Sequence, residues 1–94
     1  MTIVNIGING AKDDRGVSIA AKRLRGLGYR VSDVSNDSRH KGYNLLCWMA
    51  GARKRVKVKP NYGDGDVRAG FDSSSCDMLV VAKMRTKQIQ IFTA

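Results

Sequence analysis

The chain has 94 residues, which is enough for one small domain with a modest core and too few for a second domain. It carries 17 Lys and Arg against eight acidic residues, a net charge of +9 that favours a nucleic-acid or acidic partner, unless the charge serves only solubility. We expect a soluble, cytoplasmic protein, because no run approaches the roughly 18 apolar residues of a membrane span and the start lacks a signal-peptide pattern.

The N-terminal third predicts an arm followed by a helix. Residues 1–12 begin with the β-branched "TIVNIGI", which indicates a strand or a strand-like arm. Apolar residues then recur at spacings of three and four, which predicts the buried stripe of a helix about three turns long. They are Val17, Ala20, Ala21, Leu24 and Leu27. Asp13 or Asp14 would cap the start of this helix, and Gly28 suits the left-handed position past its end.

Short strands follow the helix. "YRVSDVS" predicts the first, residues 43–50 a central one with two apolar faces, and residues 52–59 a third that ends at Pro60. "AGAR" is the hairpin turn between the last two. Residues 61–75 are rich in Gly, Asp and Ser and predict a long loop, and "CDMLVVAK" and "QIQIFTA" predict a final hairpin joined by "MRTK". We therefore predict a single α/β (α+β) domain over residues 1–94, with one helix packed on a mixed sheet of four to five strands.

The third strand has an unusual pattern of charge. Its period of two places Val56 and Val58 on one face and Arg55, Lys57 and Lys59 on the other. Further cations lie at the start of this strand and in the loop before the second strand, which predicts a stripe that follows a phosphate backbone. The predicted nucleic-acid-binding residues are Arg39, His40, Lys41, Asn44, Arg53, Lys54, Arg55, Lys57 and Lys59. Alternatively, these lysines only keep an exposed strand from aggregating.

The cysteines, the histidine and the tryptophan could each take part in chemistry or binding, but each also has an ordinary structural interpretation. Cys47 and Cys76 lie in apolar runs without metal-ligand spacing, which favours reduced core thiols, although sequence alone does not exclude a disulfide. His40 is a lone loop histidine, more typical of a solvated side chain than of a ligand. Trp48 could stack on a base but is more typical of a core residue.

The order of these elements, with the phrases "RLRGLGYRV", "GYNLL" and "VKVKP", resembles the PD-(D/E)XK nuclease superfamily over roughly residues 12–92, particularly Holliday-junction-resolvase and restriction-endonuclease-like members. In that family a strand opens with a metal-binding Asp and the next strand carries Glu-x-Lys. The resemblance implies that Asn44 replaces the Asp, Lys57 the Glu, and Lys59 the Lys, while Val17 and Ser18 stand where many members carry a further Glu. A degenerate site of this kind would lack the carboxylate oxygens that Mg²⁺ needs.

Three functions follow from these observations. The first is a non-catalytic module that binds DNA, or structured RNA, through phosphates and without a metal or cofactor; resemblance and size suggest a phage or mobile-element protein. The second is an active nuclease with relocated ligands, Asp72 or Asp77 with Lys83 and the "GDGD" carboxylates Asp64 and Asp66. Asp77 and Lys83 would lie about 20 Å apart on one strand and could not form a site alone. The third is an interaction or inhibitor protein, with a homodimer through the edge strand "QIQIF".

Overall fold

The computed structural model describes residues 14–36, 39, 42–65, 67 and 73–93. Its helix α1 spans Asp14–Gly26, and the strands are β1 (Arg30–Asp33), β2 (Leu45–Met49), β3 (Ala52–Asn61), β4 (Met78–Lys83) and β5 (Gln88–Thr93). Within the described residues, the five strands form one sheet in the order β1-β2-β3-β4-β5, in which only β3 and β4 are parallel. The predicted class, one helix on a mixed sheet, is confirmed. The predicted strand or arm at residues 1–12 lies outside the described residues.

The core lies between α1 and one face of the sheet, which we call the helix face. Four of the five residues of the predicted helix stripe, Val17, Ala20, Ala21 and Leu24, are buried there. They pack against Leu45, Cys47, Val56, Val58, Met78, Val80 and Ala82. The prediction for Leu27 was wrong, because this residue follows the last helical residue and is 57% exposed.

The helix ends in two hydrogen bonds that reverse the chain. The N–H of Tyr29 donates to the carbonyl of Leu24, and the N–H of Gly28 donates to the carbonyl of Arg25. This pattern is the Schellman motif, and it requires a residue with positive φ at its centre. Gly28 has a φ of 103°, as its place in the sequence predicts, and the motif directs the chain into β1.

Strand β3 continues through Pro60, where the sequence predicted that it would end. Odd-numbered residues of β3 direct their backbone N–H and carbonyl groups towards β4. The backbone N–H of Asp77 donates to the carbonyl of Arg55, and the backbone N–H of Met84 donates to the carbonyl of Asn61. Pro60 therefore faces the β2 side, and β2 pairs with β3 only over Ala52–Val56. The missing N–H of proline costs no hydrogen bond at this position, so the strand extends to Asn61.

The sheet face opposite α1, called the far face here, is partly covered by the connection between β3 and β4. Leu46, Leu79 and Val81 alternate along their strands with residues of the helix face, so their side chains lie on the far face. All three are nevertheless buried. The backbone of Val67 accepts from and donates to the side-chain amide of Gln90, which is in register with Val81. The chain after β3 therefore returns over the far face at β5.

Both cysteines are buried and form no disulfide. Burial raises the pKa of the Cys47 thiol to about 11, and the charge of Arg25 opposes this shift. Such a thiol carries little thiolate at neutral pH and is chemically inert. In the part of the chain that the structure describes, no helix has the length and apolar character to span a membrane.

Candidate nucleic-acid interface

The basic residues of β3 lie mainly on the far face. The alternation that places Val56 and Val58 against α1 places Arg53, Arg55, Lys57 and Lys59 on the opposite side. Arg53 and Lys59 are exposed, and Arg55 and Lys57 are half-buried. Four cations from one strand thus share a surface, with side chains that repeat every two residues, about 7 Å apart.

Asn44 connects the beginning of β2 with this basic strand. Its backbone N–H donates to the carbonyl of Val56, and its side-chain oxygen Oδ1 accepts from the N–H of Val58 at 2.7 Å. That N–H lies beyond the end of β2, and the side chain of Asn44 supplies the acceptor that a longer strand would have provided. Asn44 is thereby fixed beside the residue that separates Lys57 from Lys59. The structure thus places Asn44 next to the segment of β3 that carries Lys57 and Lys59.

Arg55 is occupied by structural contacts that the sequence did not predict. Its guanidinium pairs with Asp77, with Nε 3.1 Å from Oδ2 and Nη2 3.2 Å from Oδ1. It also donates to the carbonyl oxygens of Ser73 and Ser74, and its backbone N–H donates to Asp77. The hydrogen bonds from Arg55 lower the pKa of Asp77 to about 2. Arg55 therefore fixes the end of the β3–β4 connection and is a poor candidate for a phosphate contact.

The other predicted binding residues are distributed differently. Lys54 is in register with Cys47 on the helix face, so it does not share a surface with Arg53 and Lys57. Arg39 is exposed in the connection between β1 and β2. His40 and Lys41 lie outside the described residues.

A further cation joins the far face through the pairing of β1 with β2. Arg30 and Arg53 are both in register with Trp48, one on each neighbouring strand. Cross-strand partners lie on the same face about 5 Å apart, so a half-buried tryptophan lies between two exposed arginines. Sequence reasoning missed Arg30 because its neighbour in space is 18 residues away along the chain, and no local pattern gives that register.

The residues at this site do not fit the Mg²⁺ ion that a PD-(D/E)XK resemblance implies. The Oδ1 atom of Asn44 already accepts a backbone hydrogen bond, and Lys57 and Lys59 contribute positive charge. Elsewhere in the described ranges, Asp77 pairs with Arg55 and Asp64 pairs with Arg85 at 2.9 Å. No group of three potential metal ligands occurs among the described residues. Asp66 and Asp72, which belong to the relocated-ligand hypothesis, lie outside them.

Comparison with known proteins gives a structural likeness and no sequence family. No protein-family model and no curated protein matches the chain. The fold is similar to that of a bacterial homing endonuclease, I-Ssp6803I, with a TM-score of 0.67 and 17% sequence identity. The match covers 85% of this chain and 65% of the endonuclease chain. The chain therefore has a fold similar to that of this endonuclease, while the correspondence of Asn44, Lys57 and Lys59 to family positions stays a prediction.

Proposed function

We propose that this domain is a non-catalytic nucleic-acid-binding module that contacts phosphates through the far face of its sheet. The observation that carries the proposal is the hydrogen bond that holds Asn44 beside Val58, the residue of β3 that separates Lys57 from Lys59. An amide and two ammonium groups on one surface can donate hydrogen bonds to a phosphate without a metal. Arg53 and Arg30 extend this surface towards β1.

The polymer is inferred from charge and fold together. A net charge of +9 favours a polyanion, and a nuclease-like fold has a nucleic acid as its natural ligand. DNA is preferred to RNA because the similar structure is a homing endonuclease. Phosphate contacts position a protein and carry no sequence information, so we expect little discrimination between base sequences.

The remaining functional hypotheses have weaker support. The two described carboxylates of the relocated-ligand hypothesis, Asp64 and Asp77, are each paired with an arginine. Strand β5 is an edge of the sheet that the described residues form, and its pairing in a homodimer stays a prediction, as does an origin in a phage or mobile element. Docking on an acidic protein is the outcome to consider if nucleic acids do not bind.

The proposal is tested by fluorescence-anisotropy titrations of labelled duplex, single-stranded and four-way-junction DNA across a salt series, with and without Mg²⁺. We expect binding that needs no Mg²⁺ and whose log affinity falls linearly with log salt. Incubation of supercoiled plasmid with Mg²⁺ or Mn²⁺ should give no nicking. Cleavage that Asp77→Ala abolishes would overturn the non-catalytic assignment, and absence of binding at low salt would overturn the choice of partner.

A further inference from the structure

A second basic surface lies on the other side of the sheet, in a cleft beside α1. The cleft has a volume of about 550 Å³ and opens to solvent. Its lining includes the cations Arg15, Lys22 and Lys87, together with Ser18, Tyr62 and Met84. Tyr62 follows the end of β3 and is 54% exposed. The combination of three cations with one exposed aromatic ring distinguishes this cleft from the far face.

The walls of the cleft are held by hydrogen bonds between elements. Arg23 donates from Nε to the carbonyl of Lys87 at 2.7 Å, which ties α1 to the turn between β4 and β5. The N–H of Met84 donates to the carbonyl of Asn61 at 2.8 Å, and this bond ties the same turn to the end of β3. These two hydrogen bonds fix the opening between helix, turn and strand end, and a fixed opening reduces the entropy lost on binding.

The position of Tyr62 is also fixed by its neighbours along the chain. The side-chain oxygen of Asn61 accepts from the N–H of Gly63 at 3.1 Å, which forms a turn around Tyr62. Asp64 then pairs with Arg85 of the β4–β5 turn at 2.9 Å. This ion pair is largely exposed and adds little stability, yet it directs the chain after Tyr62 towards the turn.

The cleft cannot belong to the far-face site, because the sheet separates the two. Helix α1 packs on residues such as Val58 and Val80, whereas Lys57 and Lys59 point in the opposite direction from β3. A straight duplex lying on the far face does not reach Lys22 on the outer side of α1. A nucleic-acid segment bound in the cleft would therefore differ from one bound on the far face.

We propose that this cleft binds an unpaired nucleotide in a single-stranded segment, with a base stacked on Tyr62 and flanking phosphates bound by Arg15, Lys22 and Lys87. Proteins that bind single strands combine such a basic groove with aromatic stacking platforms. The volume of the cleft is within the range of pockets that enclose small organic groups, about 300–1,000 Å³. Its three cations match a ligand with several phosphates better than a ligand with a single phosphate. The choice of polymer rests on the proposed function, and the site is separate from it.

Anisotropy titrations of a labelled oligothymidine and of a duplex of equal length test this proposal with two matched variants. Tyr62→Leu should weaken oligothymidine binding about 5- to 150-fold, as expected for loss of one stacked base, and should leave duplex binding unchanged within about twofold. Tyr62→Phe keeps the ring and should bind as the wild type does. Lys22→Gln should reduce the salt slope for oligothymidine by about 0.7.

The possible outcomes separate this inference from the proposed function. Wild-type protein that binds duplex but not oligothymidine would refute the proposed nucleotide site in the cleft and would be consistent with the far-face site. Equal affinity of Tyr62→Leu and wild type for oligothymidine, or equal losses for Tyr62→Leu and Tyr62→Phe, would also refute it. A wild-type protein that binds neither polymer would refute the proposed function first, and the cleft with it.

Discussion

The far-face site predicts a specific change in the salt dependence of DNA binding for the double variant Lys57→Gln/Lys59→Gln. Both side chains point away from the core, and neither forms an ion pair with an acidic residue that the structure describes. Removal of their charges should therefore leave the fold intact. The affinity for duplex DNA should fall, and its dependence on salt should become shallower.

The size of this change follows from the number of phosphate contacts. If Arg53, Lys57 and Lys59 each neutralise one phosphate, the slope of log affinity against log salt is about −2.7 for B-DNA. Affinity then falls about 40-fold between roughly 50 and 200 mM salt. The double variant keeps one of these contacts, which gives a slope of about −0.9 and a fall of about 3.5-fold over the same interval.

The assay is a fluorescence-anisotropy titration of a labelled duplex at four or more salt concentrations. The matched control is Lys54→Gln/Arg85→Gln, which removes the same net charge from the helix face of β3 and from the exposed β4–β5 turn. We expect the control to keep a slope near that of the wild type. If both double variants lose the same slope, binding depends on diffuse charge and the far-face site does not exist.

Three further predictions concern stability and are measured by urea unfolding. Hydrogen bonds from Arg55 hold the pKa of Asp77 at about 2, so the ion pair stabilises the fold above about pH 4 and this contribution is lost as the pH falls through 2. Because the Asp77 side chain is 39% exposed, Asp77→Asn should lower the free energy of unfolding by only about 1 kcal/mol at pH 7. The variant should also lose less stability than the wild type as the pH falls from about 4 to 2. Burial raises the pKa of Cys47 to about 11, so the wild type should lose stability relative to Cys47→Ala as pH rises from about 9 through 11, and a constant difference would contradict this. Gly26→Ala should raise the free energy of unfolding by about 0.5 kcal/mol, because alanine favours the last turn of α1 and its added methyl group meets no other atom. Gly28→Ala should lower the free energy of unfolding by about 1 kcal/mol, because φ is positive at this position. Effects of equal sign would refute this reasoning.

Local patterns predicted the elements and the facing of their residues. The spacing of Val17, Ala20 and Leu24 identified the buried side of α1, and the alternation in β3 identified which residues point away from it. These patterns depend only on the periods of helix and strand. Leu27 continued the helical spacing but is exposed, because the last helical residue is Gly26 and Leu27 already lies in the turn that leads to Gly28.

Features that depend on which strands meet were beyond the sequence. Pro60 is tolerated because β2 is too short to reach it, and the length of a neighbouring strand is not encoded near the proline. Arg55 and Asp77 are 22 residues apart and form an ion pair only because β3 and β4 are parallel neighbours. Arg30 reaches Trp48 by the same kind of non-local pairing. The sequence thus predicted that the candidate site is basic, but it did not predict the position of Arg30 or the ion pair of Arg55 with Asp77.

The net charge of +9 makes stability and nucleic-acid binding respond to salt in opposite directions. Two acidic residues that the structure describes, Asp64 and Asp77, already pair with arginines, and the exposed side of α1 after Arg15 carries only basic charge, on Lys22, Arg23 and Arg25. Repulsion within the folded chain is therefore not offset locally, and salt screens it within a Debye length of about 10 Å at 0.1 M.

We therefore expect the urea midpoint to rise between about 20 and 300 mM sodium chloride, while the affinity for duplex DNA falls over the same range. The variant Lys22→Gln/Lys57→Gln lowers the charge on both sides of the sheet and should show a smaller rise in its midpoint. A midpoint that falls with salt in the wild type would mean that attractive ion pairs outweigh repulsion in the folded chain. The excess positive charge would then be compensated within the protein, and its value as an argument for a polyanionic partner would be lost.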